Sequence, residues 1–598
     1  MHLLQAPGDA KFAAFGAPRF RVSLPFPTRL LRRVCLAVTA AFGAWPALAA
    51  EAGAAPDKVL ELPKLTINEQ AALPELESWR YTRITGFEVL SNASERSTKK
   101  LLTDFSRFQQ AVRLAWPAPV QPLAASTLIL CGKDKKFDAF VPAALRGSQA
   151  PVPSLFLRDR EQIAIVVDLE AQQVGISDPT ALMAANATAV EYEIDHYRQL
   201  YREYVHYLLS QAEGRRPAWL EEGLAQIVMD IELTDQALVL GKIETYRGSA
   251  TGGSPNGSED TDATVADAVV GEQPFNMVLQ HRALLPFDRF FAITPDDEEA
   301  RHPLGNTLWA KQAYAFVHFC LFGEKLQYKD SLVTFINRLT REPASEALFK
   351  ECFHVSYAEM NQELRGYILY TKHKYQKYPL KDTPLVAEAS IQLREATAAQ
   401  IGLLKGDAFR LAVHPDAALD AYRSAYIRGA REPALLAGLA AVQPDAALAK
   451  RFNDEAIRTG VNRPSAYVTQ ARARLADFKG DPGPDGRLTP VQMSAVLTPL
   501  FKARSLPPPL PETYELIAEA WAASSVPAKA EHLAVLDEGV RRFPRDSALV
   551  QKTAELYQGI GNAPAAAALI QLGIRFAPDA ATKARFEALA AKAPVPSK

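Results

Sequence analysis

The chain has 598 residues, 48% apolar and 23% charged, which is material for several packed cores, with three domains as the expectation. A formal net charge of -1 gives no field to draw it to nucleic acid or an anionic membrane surface, and no basic stripe interleaved with aromatics changes that. Its 4 cysteines are too few and too scattered for a disulfide framework, a zinc knuckle or a redox pair.

At the N-terminus Arg29, Arg32 and Arg33 precede the apolar run Val34 to Ala44, and Ala47-Leu48-Ala49 supplies the small residues a signal peptidase accepts. Residues 1–50 therefore read as a signal peptide, and the mature protein as periplasmic or secreted. Cys35 precedes the apolar run instead of following it, unlike a lipoprotein acylation site. No later segment approaches the roughly 18 apolar residues of a membrane span. Residues 51–79, rich in Ala, Pro and Glu over their first half, read as a linker.

Phe87 to Leu90 predicts a strand, and Asn92-Ala93-Ser94-Glu95 offers capping groups for a helix with Leu101, Leu102, Phe105, Phe108 and Val112 on its apolar face. Two β-rich runs follow, Thr127 to Leu130 and Ile163 to Val167, so residues 80–180 form a small α/β layer. No proline occurs between Pro179 and Pro217, which permits a helix through Tyr201 to Leu209 that places Arg202 and His206 on one face. A second helix opens at Pro217 and carries Glu221 and Glu222. The stretch between His206 and Glu222 is long enough for the first helix to end, turn and bring the second back against it. Residues 248–272 are Gly-, Ser- and Asp-rich and read as a mobile insertion; Asp260 and Asp262 lack the partners of a calcium loop. Helical periodicity resumes at Leu308 to Phe322 and Ser331 to Leu339, so residues 185–375 are expected to supply the motif helices and their support.

From residue 385 to 598 the composition is Ala- and Leu-rich, with helical segments that run to Pro433, Pro464, Pro544 and Pro578. Pro433 and Pro464 lie 464 - 433 = 31 residues apart and Pro544 and Pro578 lie 578 - 544 = 34 apart, a period of stacked helix pairs. This part resembles tetratricopeptide repeats, with most consensus Trp, Gly and Tyr positions absent. The prolines between 481 and 511 are expected to interrupt the stack.

Chemistry concentrates in two segments, Arg202-Glu203-Tyr204-Val205-His206 and Pro217-Ala218-Trp219-Leu220-Glu221-Glu222-Gly223-Leu224-Ala225. Zinc hydrolysis needs three protein ligands, an open position for water and a carboxylate to take its proton. Their order resembles the HExxH and Trp-x-x-Glu-Gly-x-Ala segments of gluzincin peptidases of the MA clan, in particular the DUF1570-like bacterial domain, over about residues 80–375. The run Trp309 to His318 matches a further helix of that family, with Ala310 where relatives often have Tyr. The resemblance implies a thermolysin-like α+β domain, a mixed sheet over the motif helices. It implies Glu203 as general base, His206 and Glu222 as zinc ligands, and Trp219 and Gly223 as supporting residues.

Arg202 stands where the first histidine ligand belongs. A guanidinium stays protonated and has no lone pair to give, so it both vacates a ligand position and repels the metal. His196 lies on a different face; His281, His302 and His318 reach the site only if the tertiary fold brings them there. The economical expectation is that Arg202 occupies the cation's place, paired in fork geometry with Glu222 or Glu203, with no cofactor bound. The chain then reads as an exported peptidase-like protein whose C-terminal repeats bind a protein partner. One alternative is an active zinc-dependent metallopeptidase with a non-standard ligand. Another is an adaptor in which the motif is coincidence and Glu203, His206 and Glu222 do not converge.

Overall fold

The computed structural model describes residues 77–115, 126–132, 136–146, 152–169, 174–175, 191–192, 196–210, 216–234, 236–243, 274–295, 297–301, 305, 307–370, 372–380 and 391–591. The expected signal peptide, most of the expected linker, the expected insertion at 248–272 and His302 lie outside them.

Strands β1 (Arg80–Ile84) and β2 (Phe87–Ser91) form an antiparallel hairpin closed by Gly86, which takes a φ of +84° that side chains rarely adopt. The helix α1 (Glu95–Ala115) then crosses to β3 (Ser126–Cys131), parallel to β2. β4 (Ser154–Arg158) and β5 (Ile163–Asp168) form a second hairpin, with β5 parallel to β3 and β4 at the sheet edge. β3 and β5 are apolar along nearly their whole length because both faces are covered. The pairs β6 (Val174–Gly175) with β7 (Glu191–Tyr192), and β8 (Glu232–Leu233) with β9 (Ala237–Leu240) and β10 (Gln376–Pro379), make smaller sheets. The opposite edge of the main sheet is closed by β11 (Arg394–Glu395), giving the order β11-β1-β2-β3-β5-β4. The sequence showed β2, β3 and β5, whose apolar runs are unmistakable. It did not show β1, β4 or β11, which are short or carry charge.

Helix α2 (His196–Ser210) follows the expected course, and α3 (Ala218–Met229) starts one residue after Pro217, which is its N-cap. Both pack in one core with α1 and with Leu128, Leu130, Ile163, Ile165 and Val167, alternate positions of β3 and β5. α4 (Leu308–Phe322) lies directly on α3. Gly223 permits that approach, since a methyl group there would sit 2.5 Å from Val317 Cγ2 and 2.6 Å from the Ala313 carbonyl. Trp219 is held among Phe290, Phe291, Phe316 and Phe335. α5 (Lys329–Leu339), α6 (Glu346–Phe353) and α7 (Tyr357–Ile368) complete this core.

The C-terminal part is a stack of helix pairs: α8 (Ala398–Leu411) with α9 (Pro415–Ile427), α10 (Pro433–Val442) with α11 (Ala446–Arg458), and α12 (Pro464–Gly480) with α13 (Pro490–Arg504). α14 (Pro511–Ala523) with α15 (Ala530–Arg542), α16 (Ser547–Gly559) with α17 (Ala563–Phe576), and the closing helix α18 (Ala580–Ala591) continue it. Tyr422 is clasped between consecutive pairs, where Gly406 and Gly438 each leave room for its ring. The expected interruption at 481–511 does not occur. Pro490 and Pro511 open helices at positions whose N–H has no intrahelical partner, and Pro507, Pro508 and Pro509 occupy the connection between α13 and α14, so the stack runs through. At three of the four steps between pairs the first helices pack on each other, α8 on α10, α12 on α14 and α14 on α16, more closely than the second helices do, which places the first helices on the inner side of the curve.

The stack is joined to the sheet. β11 immediately precedes α8, α8 packs against β4 and β5, and Phe409 stacks on Phe140 at 4.4 Å. Toward the other end Arg545 Nη2 donates to the Leu339 carbonyl at 2.7 Å. Among the described residues no helix is long and apolar enough to cross a membrane, and Cys131, Cys320 and Cys352 are buried and not joined in disulfides.

Candidate functional site

Residues four apart on α2 share a face, and α3 returns antiparallel to it, so Arg202, Glu203, His206 and Glu222 meet. Arg202 Nη2 donates to Glu222 Oε2 at 2.8 Å and its Nε to Glu222 Oε1 at 3.3 Å, a two-pronged fork on one carboxylate. Its Nη1 donates to Glu203 Oε1 at 3.0 Å. His206 Nε2 lies 3.3 Å from Glu222 Oε2, and its ring faces Phe156 of β4. Arg202, Glu203 and Glu222 are 4%, 3% and 2% exposed, so the fork lies out of bulk water.

The cluster extends further than the motif. Gln226, one turn after Glu222, donates through Nε2 to Glu222 Oε1 at 2.7 Å and to the Gly305 carbonyl at 2.8 Å. Lys311 of α4, completely buried, donates to Gln226 Oε1 at 3.0 Å. Ser154 of β4 donates to Glu203 Oε1 at 3.4 Å. Gly305, at φ +60°, closes against the group: a side chain there would collide with Glu222 Oε1. Gln226 was open to sequence reasoning as the i+4 neighbour of Glu222, and Lys311 as the lone cation in an apolar helix. Ser154, Phe156 and Gly305 had no sequence signal, because only the tertiary fold brings them in.

Electrostatics follow from burial. Desolvation works against the charge on Arg202, but the two carboxylates outweigh it and raise its pKa. Desolvation also acts on Glu222, yet Arg202 and His206 hold its carboxyl well below the usual carboxylate range. For Glu203 desolvation wins: its pKa is raised, with Arg202 and His206 offsetting only part. One carboxylate is thus firmly ionised and the other disfavours its charge.

Among the described residues, His318 lies apart from this bonded group. His318 has one ring nitrogen 2.7 Å from the Tyr367 hydroxyl and the other 2.7 Å from the Gly241 carbonyl, and burial pulls its pKa down to about 3. His281 is exposed and His196 begins α2. Ala310 is buried in the first turn of α4, where its N–H is capped by Thr307. Among the described residues no group of three or more His, Cys, Asp and Glu is arranged to hold a metal ion.

No family model and no curated protein matches the chain. Solved structures similar to it include a thermophilic TPR protein of Thermus thermophilus, at 18% identity over 32% of this chain and 99% of that one, with a TM-score of 0.24. Another is PilF of Pseudomonas aeruginosa, at 15% identity over 32% of this chain and 90% of that one, also with a TM-score of 0.24.

Proposed function

We propose that this chain is an exported, peptidase-like protein of gluzincin descent, whose site holds a guanidinium where a zinc ion would sit and whose helical repeat binds a protein partner. The observation that carries the reading is the fork of Arg202 on both oxygens of Glu222. A zinc ion does not fit this donor set. Both oxygens of the carboxylate that would serve as third ligand are engaged by Arg202, His206 shares one of them, and the residue in the first ligand position has no lone pair. Glu203 is likewise held by Arg202 and Ser154, so the carboxylate that would activate water is turned to a structural partner.

With the guanidinium in place neither buried carboxylate is left unpaired, so the core needs no metal ion to neutralise them. Glu203, His206 and Glu222 are then retained by the requirements of the closed cluster. The helical repeat supports the second half of the reading, because stacked pairs present an extended inner surface suited to another chain.

Elemental analysis of the mature protein, purified without chelator beside Arg202→His, tests the first half. Wild type is expected to contain no stoichiometric zinc and the variant about one zinc per chain, since a closed ligand set releases binding energy on that scale. One zinc per wild-type chain would overturn the reading in favour of an active metallopeptidase with a non-standard ligand.

A further inference from the structure

The turn between β4 and β5, Asp159-Arg160-Glu161-Gln162, does not end in solvent. Its backbone is fixed locally: Asp159 Oδ1 accepts the N–H groups of Glu161 and Gln162, each at 2.7 Å. Each of its four side chains is then met by the helical repeat. Asp159 accepts from Arg410 Nη1 at 2.7 Å. Arg160 pairs with Glu512 at the start of α14. Glu161 accepts the Ser465 N–H at 3.0 Å and the Ser465 hydroxyl, both in the first turn of α12. Gln162 donates to Asp407 Oδ2 at 3.1 Å and accepts from Arg410.

These partners stand on the first helices of three pairs, α8, α12 and α14, which form the inner side of the stack. The receiving groups are also preset without the turn. Asp407 accepts from Arg463 Nη2 at 2.7 Å and from the Tyr422 hydroxyl at 2.5 Å, so the repeat itself holds the acceptor for Gln162 in place. Glu161 and Gln162 are 8% and 5% exposed, a depth at which polar side chains are costly unless individually satisfied. At the turn the seam is built like a ligand site, where polar groups are read one by one, and the apolar contact of the same helix, Phe409 on Phe140, is separate from it.

We propose that the inner face of the repeat is a recognition site for a short carboxylate-bearing turn of the Asp-x-Glu-Gln kind, filled in cis by residues 159–162, so that a partner with such a turn enters by displacing them. The proposal rests on the reading of the repeat as protein-binding and names the surface and the ligand chemistry; it is independent of the peptidase reading. Displacement frees Arg410 and the N–H groups at the start of α12 to receive the partner's two carboxylates, while Asp407 keeps Arg463 and Tyr422 and waits for its amide.

The test uses the full mature chain with Asp159→Ala, Glu161→Ala and Gln162→Ala combined, and as probe a cyclised peptide spanning Leu157-Arg158-Asp159-Arg160-Glu161-Gln162-Ile163. Calorimetry is expected to show binding to this vacated chain and, at the same concentrations, far weaker binding to wild type. Adding Arg410→Ala to the vacated chain should weaken binding by about tenfold or more, the scale of a lost charged hydrogen bond. Equal binding to both chains, binding indifferent to Arg410→Ala, or no binding to the vacated chain overturns the proposal. Those outcomes leave the outer surface of the repeat as the partner's place, so the broader reading does not fall with it. Should the vacated chain fail to fold, the single variant Gln162→Ala decides: it must bind the peptide more tightly than wild type, and equal binding overturns the proposal.

Discussion

Two buried clusters of arginine and carboxylate are built from the same residue types and behave differently. Around Arg202 the charges all belong to one core, on α2, α3 and their neighbours, and close on one another. Around Asp407 they straddle a seam, with Arg463 and Tyr422 from the repeat on one side and the β4–β5 turn on the other. A cluster closed within one core contributes to holding that core; a cluster split between layers registers one layer against the other. The β4–β5 hairpin touches both, with Ser154 and Phe156 at the first and Gln162 at the second.

The sharpest way to break this contrast is Arg202→Ala, which strands two buried carboxylates. It is expected to cost about 3–5 kcal/mol in denaturant unfolding, the penalty of uncompensated buried charge. A loss no larger than that of an exposed charge would show that water reaches the cluster. Asp407→Ala should cost less, about 2–3 kcal/mol, the scale of lost hydrogen bonds to a charged group, because Arg463 still feels Glu161 across the seam. Its effect should also appear as faster hydrogen exchange at the Ser465 N–H, which donates to Glu161 across the seam.

Acidification separates the two carboxylates of the first cluster. Glu203 has a folded pKa above its unfolded value of about 4.3, so the folded form binds the extra proton and stability rises as pH falls from the folded value to the unfolded one. Glu222 is depressed, so its contribution is fully present above the unfolded value and is lost as pH falls toward the folded one. Glu203→Gln should therefore change stability at neutral pH by about 1 kcal/mol or less and abolish the first of these two trends in a series of urea titrations. If the rise on acidification persists in the variant, another group carries it. The smallest expected effect is Arg160→Ala at the seam. Its pair with Glu512 is largely solvated, and loss of less than about 1 kcal/mol in thermal unfolding is the expectation.

What could be read from the chain in advance followed from periodicity and spacing. The apolar, β-rich runs at 87–90, 127–130 and 163–167 read as strands, and the four-residue spacing of Arg202 and His206 put them on one helix face. A guanidinium cannot ligate a metal, so a fork with Glu222 or Glu203 was expected before any fold was known, and the helix-turn period of 385–598 announced a stack. The prolines of 481–511 misled because proline excludes a helix interior but is welcome at a first turn, and local sequence does not distinguish the two when helix starts are unknown.

Only the tertiary structure decided the rest. Which backbone closes over the cluster, at Gly305, which buried amide and ammonium extend it, at Gln226 and Lys311, and which hairpin fills the inner face of the repeat all depend on residues far apart in the chain. Helix and strand signals are local, whereas a buried charge selects its partner by proximity in three dimensions, and no spacing along the sequence encodes that proximity.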